Sequence, residues 1–410
     1  MSEWREHLLG DVIAYAIGGG WGEEAPAPGL RAVQVVRGAD FPEVEVGDVT
    51  NLPVRYETPK RFAARNLESG DIVLEISGGT KGRPTGRVVR ITESLLADSS
   101  LPLIPASFCR LVRPDPDAVD PEFLYYLLLD WYKRGGSWAF QNQSTGIANF
   151  QFKMFMRNFG FLAPQLTEQR AIAEVLGALD DKIEANRKLA TTADALTGSI
   201  FAEAAQDASL SEATYGELAK IGGGGTPKSK VDEFWSGDVR WLTPTDVTAL
   251  PGPYVEETSR RISEAGLASI SSPLYPVGSI AMTSRATIGS FAILDRPMAV
   301  NQGFIVVQPH DESLRLWLFH EMRRRVREFY DYANGATFME LSRGNFKKIR
   351  VHLSDYNTMS RFGERVRPLH DSARLALQEN ETLTDLRDTL LPKLMSGQLS
   401  VVEVAEMAGL

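Results

Sequence analysis

Sulfur chemistry is nearly absent from this chain. Its single cysteine, Cys109, leaves no partner for an internal disulfide, which fits a reducing compartment. Histidine is scarce too. The five, at 7, 310, 320, 352 and 370, are scattered, and none pairs with another ligand at a metal-binding spacing. No metal site is expected. No apolar run approaches a membrane span, and Met1-Ser-Glu-Trp-Arg-Glu-His has no apolar leader core. The expected location is the cytoplasm, with no membrane partner. Catalytic signatures are missing as well: no Gly-x-Ser-x-Gly, no His-Glu-x-x-His, and no cysteine near a base. Positive charge is not in excess. The formal net charge is −9, which does not advertise nucleic-acid binding. The acid surplus is uneven, however. The second globular block is close to neutral, the first is mildly acidic, and the helical stretches carry much of the rest.

What is present is said nearly twice. At 410 residues the chain should hold roughly two or three domains. Each half reads as a turn-rich mixed block followed by one long helix. Ile17-Gly-Gly-Gly matches Ile221-Gly-Gly-Gly, and Gly70-Asp-Ile-Val-Leu matches Gly278-Ser-Ile-Ala-Met, a turn entering an alternating strand. Pro121-Glu-Phe-Leu-Tyr-Tyr-Leu-Leu-Leu-Asp-Trp matches the helical Ser313-Leu-Arg-Leu-Trp-Leu-Phe-His-Glu-Met. Thr145-Gly-Ile-Ala-Asn-Phe matches Ala336-Thr-Phe-Met-Glu-Leu, and Phe159-Gly-Phe-Leu matches Ile349-Arg-Val-His. The spans expected are 1–164 and 206–355 for the blocks, and 165–205 and 356–410 for the helices and tail. The fold class is α+β: two α/β blocks separated by two long helices.

Those helices carry a core stripe. Ile172, Leu176, Leu179, Ile183, Asn186, Ala190 and Ala193 alternate four- and three-residue steps, as do Phe362, Val366, Leu369, Ala373, Ala376, Asn380 and Leu383. This is coiled-coil spacing, and the expected arrangement is an antiparallel pair with Asn186 and Asn380 near its centre. Two alternatives stay open: helices lying on their own blocks, and both amides facing outward.

The loops between strands are polar and partly cationic. Gly222-Gly-Gly-Gly-Thr-Pro-Lys-Ser is not a phosphate loop, because no Gly-Lys-Ser/Thr follows and Pro227 interrupts the helix start. It reads as a flexible loop whose backbone approaches something closely. Thr226, Lys228, Lys230, Thr245, Ser284, Arg285 and Thr287 in the second block are candidate DNA contacts. In the first block Lys81, Arg83 and Arg87 of Ser77-Gly-Gly-Thr-Lys-Gly-Arg-Pro-Thr-Gly-Arg are expected to reach outward. Base-edge and phosphate contacts require these residue types, though ordinary solvated turns contain them too. Arg323-Arg-Arg-Val-Arg327 reads as a solvated helix face, with a phosphate-facing role as the alternative.

Pro164-Gln-Leu-Thr-Glu-Gln-Arg-Ala-Ile-Ala-Glu-Val-Leu-Gly-Ala-Leu-Asp-Asp-Lys-Ile and Leu386-Arg-Asp-Thr-Leu-Leu-Pro-Lys-Leu-Met-Ser-Gly-Gln-Leu resemble the helices of type I restriction–modification specificity subunits. Gly223-Gly-Gly-Thr-Pro-Lys-Ser, Trp241-Leu-Thr-Pro-Thr-Asp and Ser284-Arg-Ala-Thr-Ile-Gly resemble elements of that family's target-recognition domains. The resemblance implies that each block reads one half of a bipartite double-stranded DNA site. It implies helices that set the gap and dock two modification subunits, which use S-adenosylmethionine to methylate adenine. Restriction subunits would bring ATP- and magnesium-dependent translocation and cleavage, and this chain would hold no cofactor and catalyse nothing. Two departures stand out. Ser354-Asp-Tyr-Asn-Thr-Met replaces the Pro-x-Leu-x-Glu-Gln helix start in the second half, and the first block lacks Ser-Arg-Ala-Thr-Ile-Gly. The rival readings are a coiled-coil scaffold for proteins and the recognition subunit of another DNA-methylation or defence system.

Overall fold

The computed structural model describes residues 4–78, 82–144, 147–335 and 339–408. It divides into two compact units, residues 1–185 with 380–410, and residues 186–379. Each unit therefore takes one block and part of each long helix, a division different from the four consecutive spans above.

The two blocks share one strand frame. In the first, a four-stranded sheet runs in the order Ile13–Gly18, Cys109–Pro114, Ile72–Glu75, Val88–Arg90. In the second, Ala219–Gly223, Phe304–Pro309, Ile280–Thr283 and Phe291–Leu294 take the same order, with Tyr254–Val255 added at the edge. A smaller sheet repeats too. Arg31–Val36 pairs antiparallel with Val54–Glu57 and parallel with Leu103–Pro105. Val239–Leu242 does the same with Arg261–Ile262 and Ala299–Val300. Each block closes with a strand pair at the start of a long helix: Arg5–Leu8 with Gly160–Ala163, and Ser209–Thr214 with Arg350–Leu353.

The central strands are apolar on both faces because both faces are covered. In the first block Ile72, Leu74 and Val112 face a core that includes helix Pro121–Lys133, whereas Val73, Val89 and Leu111 face the smaller sheet. In the second block Ile280, Met282 and Ile305 face helix Arg315–Arg324, and Ala281, Leu294 and Val306 face the opposite way. The glycine triplets have a packing cause. A Cβ on Gly19 would lie 2.0 Å from the Ala106 carbonyl oxygen, and one on Gly224 would lie 1.7 Å from that of Val300. The expected flexible loop is thus a close approach of backbone to backbone inside its own block.

The long helices span Leu166–Ala204 and Tyr356–Met395. Their pairing is antiparallel in both units. In the first unit Arg387 Nη1 donates to Asp180 at 2.7 Å, and Asn380 Nδ2 donates to the Ile183 carbonyl at 3.1 Å. In the second, Asn186 Nδ2 donates to Glu379 at 2.7 Å, Ala190 and Ala193 pack on Ala373, and Phe201 meets Phe362 edge-on. Asn186 and Asn380 are buried, so neither amide faces outward. The apolar stripe has two uses. Ile172 and Leu176 enter the first block's core, Phe362 and Val366 enter the second's, and small alanines occupy the middle. Ile183 is buried, while Leu179, Leu369 and Leu383 are half-buried.

The helix starts explain their motifs. Gln169 of the Pro-x-Leu-x-Glu-Gln start is buried. Its Oε1 accepts from Asp120 N at 2.9 Å and its Nε2 donates to the Pro164 carbonyl at 2.9 Å. It ties the long helix to Asp120, the N-cap of helix Pro121–Lys133. In the second half Asp355 accepts from Thr358 N at 3.0 Å, an ordinary helix cap. Trp317 Nε1 donates to the His352 carbonyl at 3.0 Å and ties that block's helix to the strand that leads into the long helix. Among the described residues, no helix is long and apolar enough to cross a membrane.

Candidate nucleic-acid interface

In the second block the strands Ile280–Thr283 and Phe291–Leu294 are joined by a short loop clamped from two sides. Ser284 N donates to the Gly303 carbonyl at 2.7 Å, and Leu341 N donates to the Ser284 carbonyl at 2.9 Å. The buried Thr283 hydroxyl accepts from Ser290 N at 2.9 Å. Ala286 sits at φ +58°, the one non-glycine residue with positive φ among the described residues. Such a conformation persists only where the surroundings enforce it. The clamp leaves Arg285, Ala286 and Thr287 exposed. Arg285 forms an isolated antiparallel bridge with Glu340, and its Nη2 lies 2.8 Å from Glu340 Oε1.

Beside this pair lies a cleft of about 320 Å³, bounded in part by Gly224, Ser284, Gln302 and Arg343. The Thr226 hydroxyl donates to Gln302 Oε1 at its edge. The structure therefore gathers Thr226, Ser284 and Arg285 around one cleft. Ser284 is buried, however, so it holds the loop and offers no free hydroxyl. Lys228 and Lys230 are exposed on the following turn, where Trp235 Nε1 donates to the Lys228 carbonyl at 3.2 Å. Arg260 lies over Trp235 at 3.7 Å and adds a further exposed cation. Thr245 is exposed in the separate short helix Pro244–Thr248, whose start is capped by Thr243 and Asp246.

The first block builds the same corner differently. Ile76 N donates to the Phe108 carbonyl at 2.8 Å, as Ser284 N does to Gly303, and Ser77 bridges Asn149 as Arg285 bridges Glu340. Arg83 is exposed, whereas Lys81 lies outside the described residues. Arg87 turns inward, against expectation. Its Nε and Nη2 meet the buried Glu75 carboxylate at 2.9 and 2.7 Å, and its guanidinium also donates to the Gly38 carbonyl and lies over Phe41. Arg87 sits at the base of the hairpin, where its partner strand supplies a carboxylate. It staples the loop and is not presented to a ligand. Burial pushes the Cys109 thiol up to about 12, which leaves it a core residue.

The arginine run splits into three environments. Arg323 pairs with Asp194 at 2.6 Å, Arg325 is buried against Glu321 and Glu328, and Arg324 stays exposed. Several residues at these loops carried no sequence signal. Glu340 and Asn149 are not cations, and only strand pairing brings them to the loops. Phe108, 66% exposed, and Arg110, over the Phe152 ring at 4.4 Å, lie beside the first block's loop through turns that sequence pattern does not reveal.

A family model described as Type I restriction modification DNA specificity domain matches residues 1–192 and 211–369. The HindI specificity subunit of Haemophilus influenzae, a type I restriction enzyme component, is 22% identical over 97% of this chain and 100% of that protein. The MjaIX specificity subunit of Methanocaldococcus jannaschii is 33% identical over 137 residues, so the matched region spans about a third of each chain. In fold, the chain is similar to the solved type I restriction–modification S subunit of M. genitalium, at 17% identity, 96% coverage of both chains and a TM-score of 0.58. The repeated frame and the family matches in both halves agree: the chain belongs to the type I restriction modification DNA specificity family.

Proposed function

We propose that this chain is the DNA-reading, non-catalytic subunit of a type I restriction–modification complex in the cytoplasm. Residues 1–164 and 206–355 each read one half of a bipartite duplex site. The helices within 165–205 and 356–410 set the gap and dock two modification subunits. S-adenosylmethionine for adenine methylation belongs to those subunits. ATP and magnesium belong to the restriction subunits. Arg83, Thr226, Lys228, Lys230, Thr245, Arg285 and Thr287 are the proposed DNA contacts from the described residues, with Lys81 beside them in sequence. Arg87 and Ser284 shape the loops that carry them.

One observation carries this reading: the same frame occurs twice, with a family match in each half, and each copy presents an exposed polar loop fixed by backbone hydrogen bonds. The acidic balance implies that partner subunits share the phosphate contacts. Co-purification with an adenine-methylating modification subunit tests it. The complex should bind duplex DNA specifically, and the chain alone should bind weakly at physiological salt. A stable complex that binds no duplex would favour the protein scaffold instead.

A further inference from the structure

We infer that Arg285 and Glu340 act together to read one G·C base pair in the half-site of the second block, an inference that rests on the function proposed above. Arg285 donates to guanine N7 and O6, and Glu340 accepts from the N4 amino group of a cytosine.

A glutamate on a DNA-facing surface repels phosphates unless it meets donors, and Glu340, part-exposed beside Arg285, is placed to meet a second one. In the major groove the cytosine N4 amino group is the donor that Glu and Asp accept from. Glu340 is held at the loop by the backbone bridge to Arg285 and by the contacts of its neighbours. Leu341 N donates to the Ser284 carbonyl at 2.9 Å, and Ala286 N donates to the Met339 carbonyl at 3.3 Å. Both side chains of the pair are 44% exposed, so each keeps a free edge.

The arginine follows from the same geometry. A guanidinium carries five N–H donors in a planar fork. Nη2, on one side of that fork, is ion-paired with Glu340 Oε1 at 2.8 Å. The other side remains for a bidentate contact to guanine. Holding the long side chain in place before binding reduces the ordering cost of that contact. The left-handed Ala286 and the two-sided clamp keep the backbone from drifting while it forms.

The first block makes the inference specific to the second. At the same bridge it places Ser77 and the exposed Asn149, with neither a guanidinium nor a carboxylate. An asparagine there suits adenine, not a G·C pair.

The test is the methylation motif written by the complex of the full chain with its modification subunit, mapped for wild type and for Arg285→Ala, Glu340→Ala and Glu340→Gln. Wild type should show a fixed G·C in one half-site. Arg285→Ala and Glu340→Ala should each cut discrimination at that position by about tenfold or more. Glu340→Gln, which keeps the size and adds an amide donor, should move the preference toward A·T. The other half-site and the melting temperature should not change. An unaltered motif in the Glu340 variants would overturn the inference. So would a uniform loss of methylation with unchanged base preference and unchanged melting, because Glu340 would then only support the loop. A wild-type complex that writes no sequence motif would instead overturn the proposed function itself.

Discussion

The hairpin of the first block places residues 76–85 between Glu75 and Gly86, and that of the second places only 284–288 between Thr283 and Gly289. Yet the two are closed by the same backbone bonds. Glu75 N donates to the Arg87 carbonyl and Thr283 N to the Ser290 carbonyl, both at 2.9 Å. Gly86 N donates to Glu75 and Gly289 N to Thr283, at 2.9 and 3.0 Å. Side chains diverge where the frame agrees. The longer loop is stapled inside by Glu75 and Arg87, and the shorter one by the Thr283 hydroxyl. At the bridged corner Ser77 and Asn149 stand where the second block has Arg285 and Glu340. A backbone frame built on strand pairing constrains few side chains at its loop tips, so one scaffold can read two different sequences. The blocks should therefore fail alike when the frame is damaged and separately when a side chain is changed.

The largest effect is expected from the buried charges. In the second unit Glu321 accepts from Arg325 at 2.9 Å and from His352 N at 3.1 Å, and also from the Tyr215 hydroxyl. Removing one partner of such a pair costs roughly 3–5 kcal/mol. Glu321→Ala should melt the second unit early and leave the first alone in calorimetry, and Glu75→Ala should do the reverse by orphaning Arg87. The shared frame is tested next. Gly19→Ala and Gly224→Ala force a methyl group into backbone oxygens, and each should destabilise its own block by about 1–3 kcal/mol or more.

Acid should separate the units in a different way. In the second unit the block helix meets the second long helix through His320 Nε2 and His370 Nε2, 3.0 Å apart, with the Tyr254 hydroxyl 3.1 Å from His370 Nδ1. Burial pushes His320 down to about 3, assisted by His370 and Arg323, and burial pushes His370 down to about 4. Both lie below the ordinary 6.5, so the unfolded chain takes up these protons first. Their contribution is complete above about pH 6.5 and is lost as pH falls toward the folded values. The first unit's junction uses Tyr126, whose hydroxyl donates to Asp180 at 2.7 Å, beside Arg90 and Arg387. Melting at pH 7 and pH 4.5 should lower the second transition more than the first, and His320→Gln with His370→Gln should narrow the difference. The smallest effect is expected from Arg83→Ala. Arg83 is exposed, and loss of its proposed contact with phosphate should weaken DNA binding at every sequence and reduce the salt slope by about 1.

The repeat, the strand-entering turns and the long helices were legible because periodicity and turn residues report local geometry. The core positions Ile172, Leu176, Phe362 and Val366 were legible as buried, but not their destination. The same spacing serves a helix partner and a block core. Arg285 was visible as a cation among hydroxyls in a loop. Its partner was not, because Glu340 reaches it through a tertiary bridge. Arg87 misled for the opposite reason. In sequence it stands among glycines that suggest exposure, and only the facing strand reveals the carboxylate that draws it inward.

On the proposed function, two like frames read two unlike DNA sequences, with the helices setting the gap. The methylation map of the wild-type complex tests it most directly. One bipartite motif is expected: two specified halves of different sequence, a constant unspecified gap, and a methylated adenine in each half. A single uninterrupted motif would contradict it, as would methylation that does not depend on this chain.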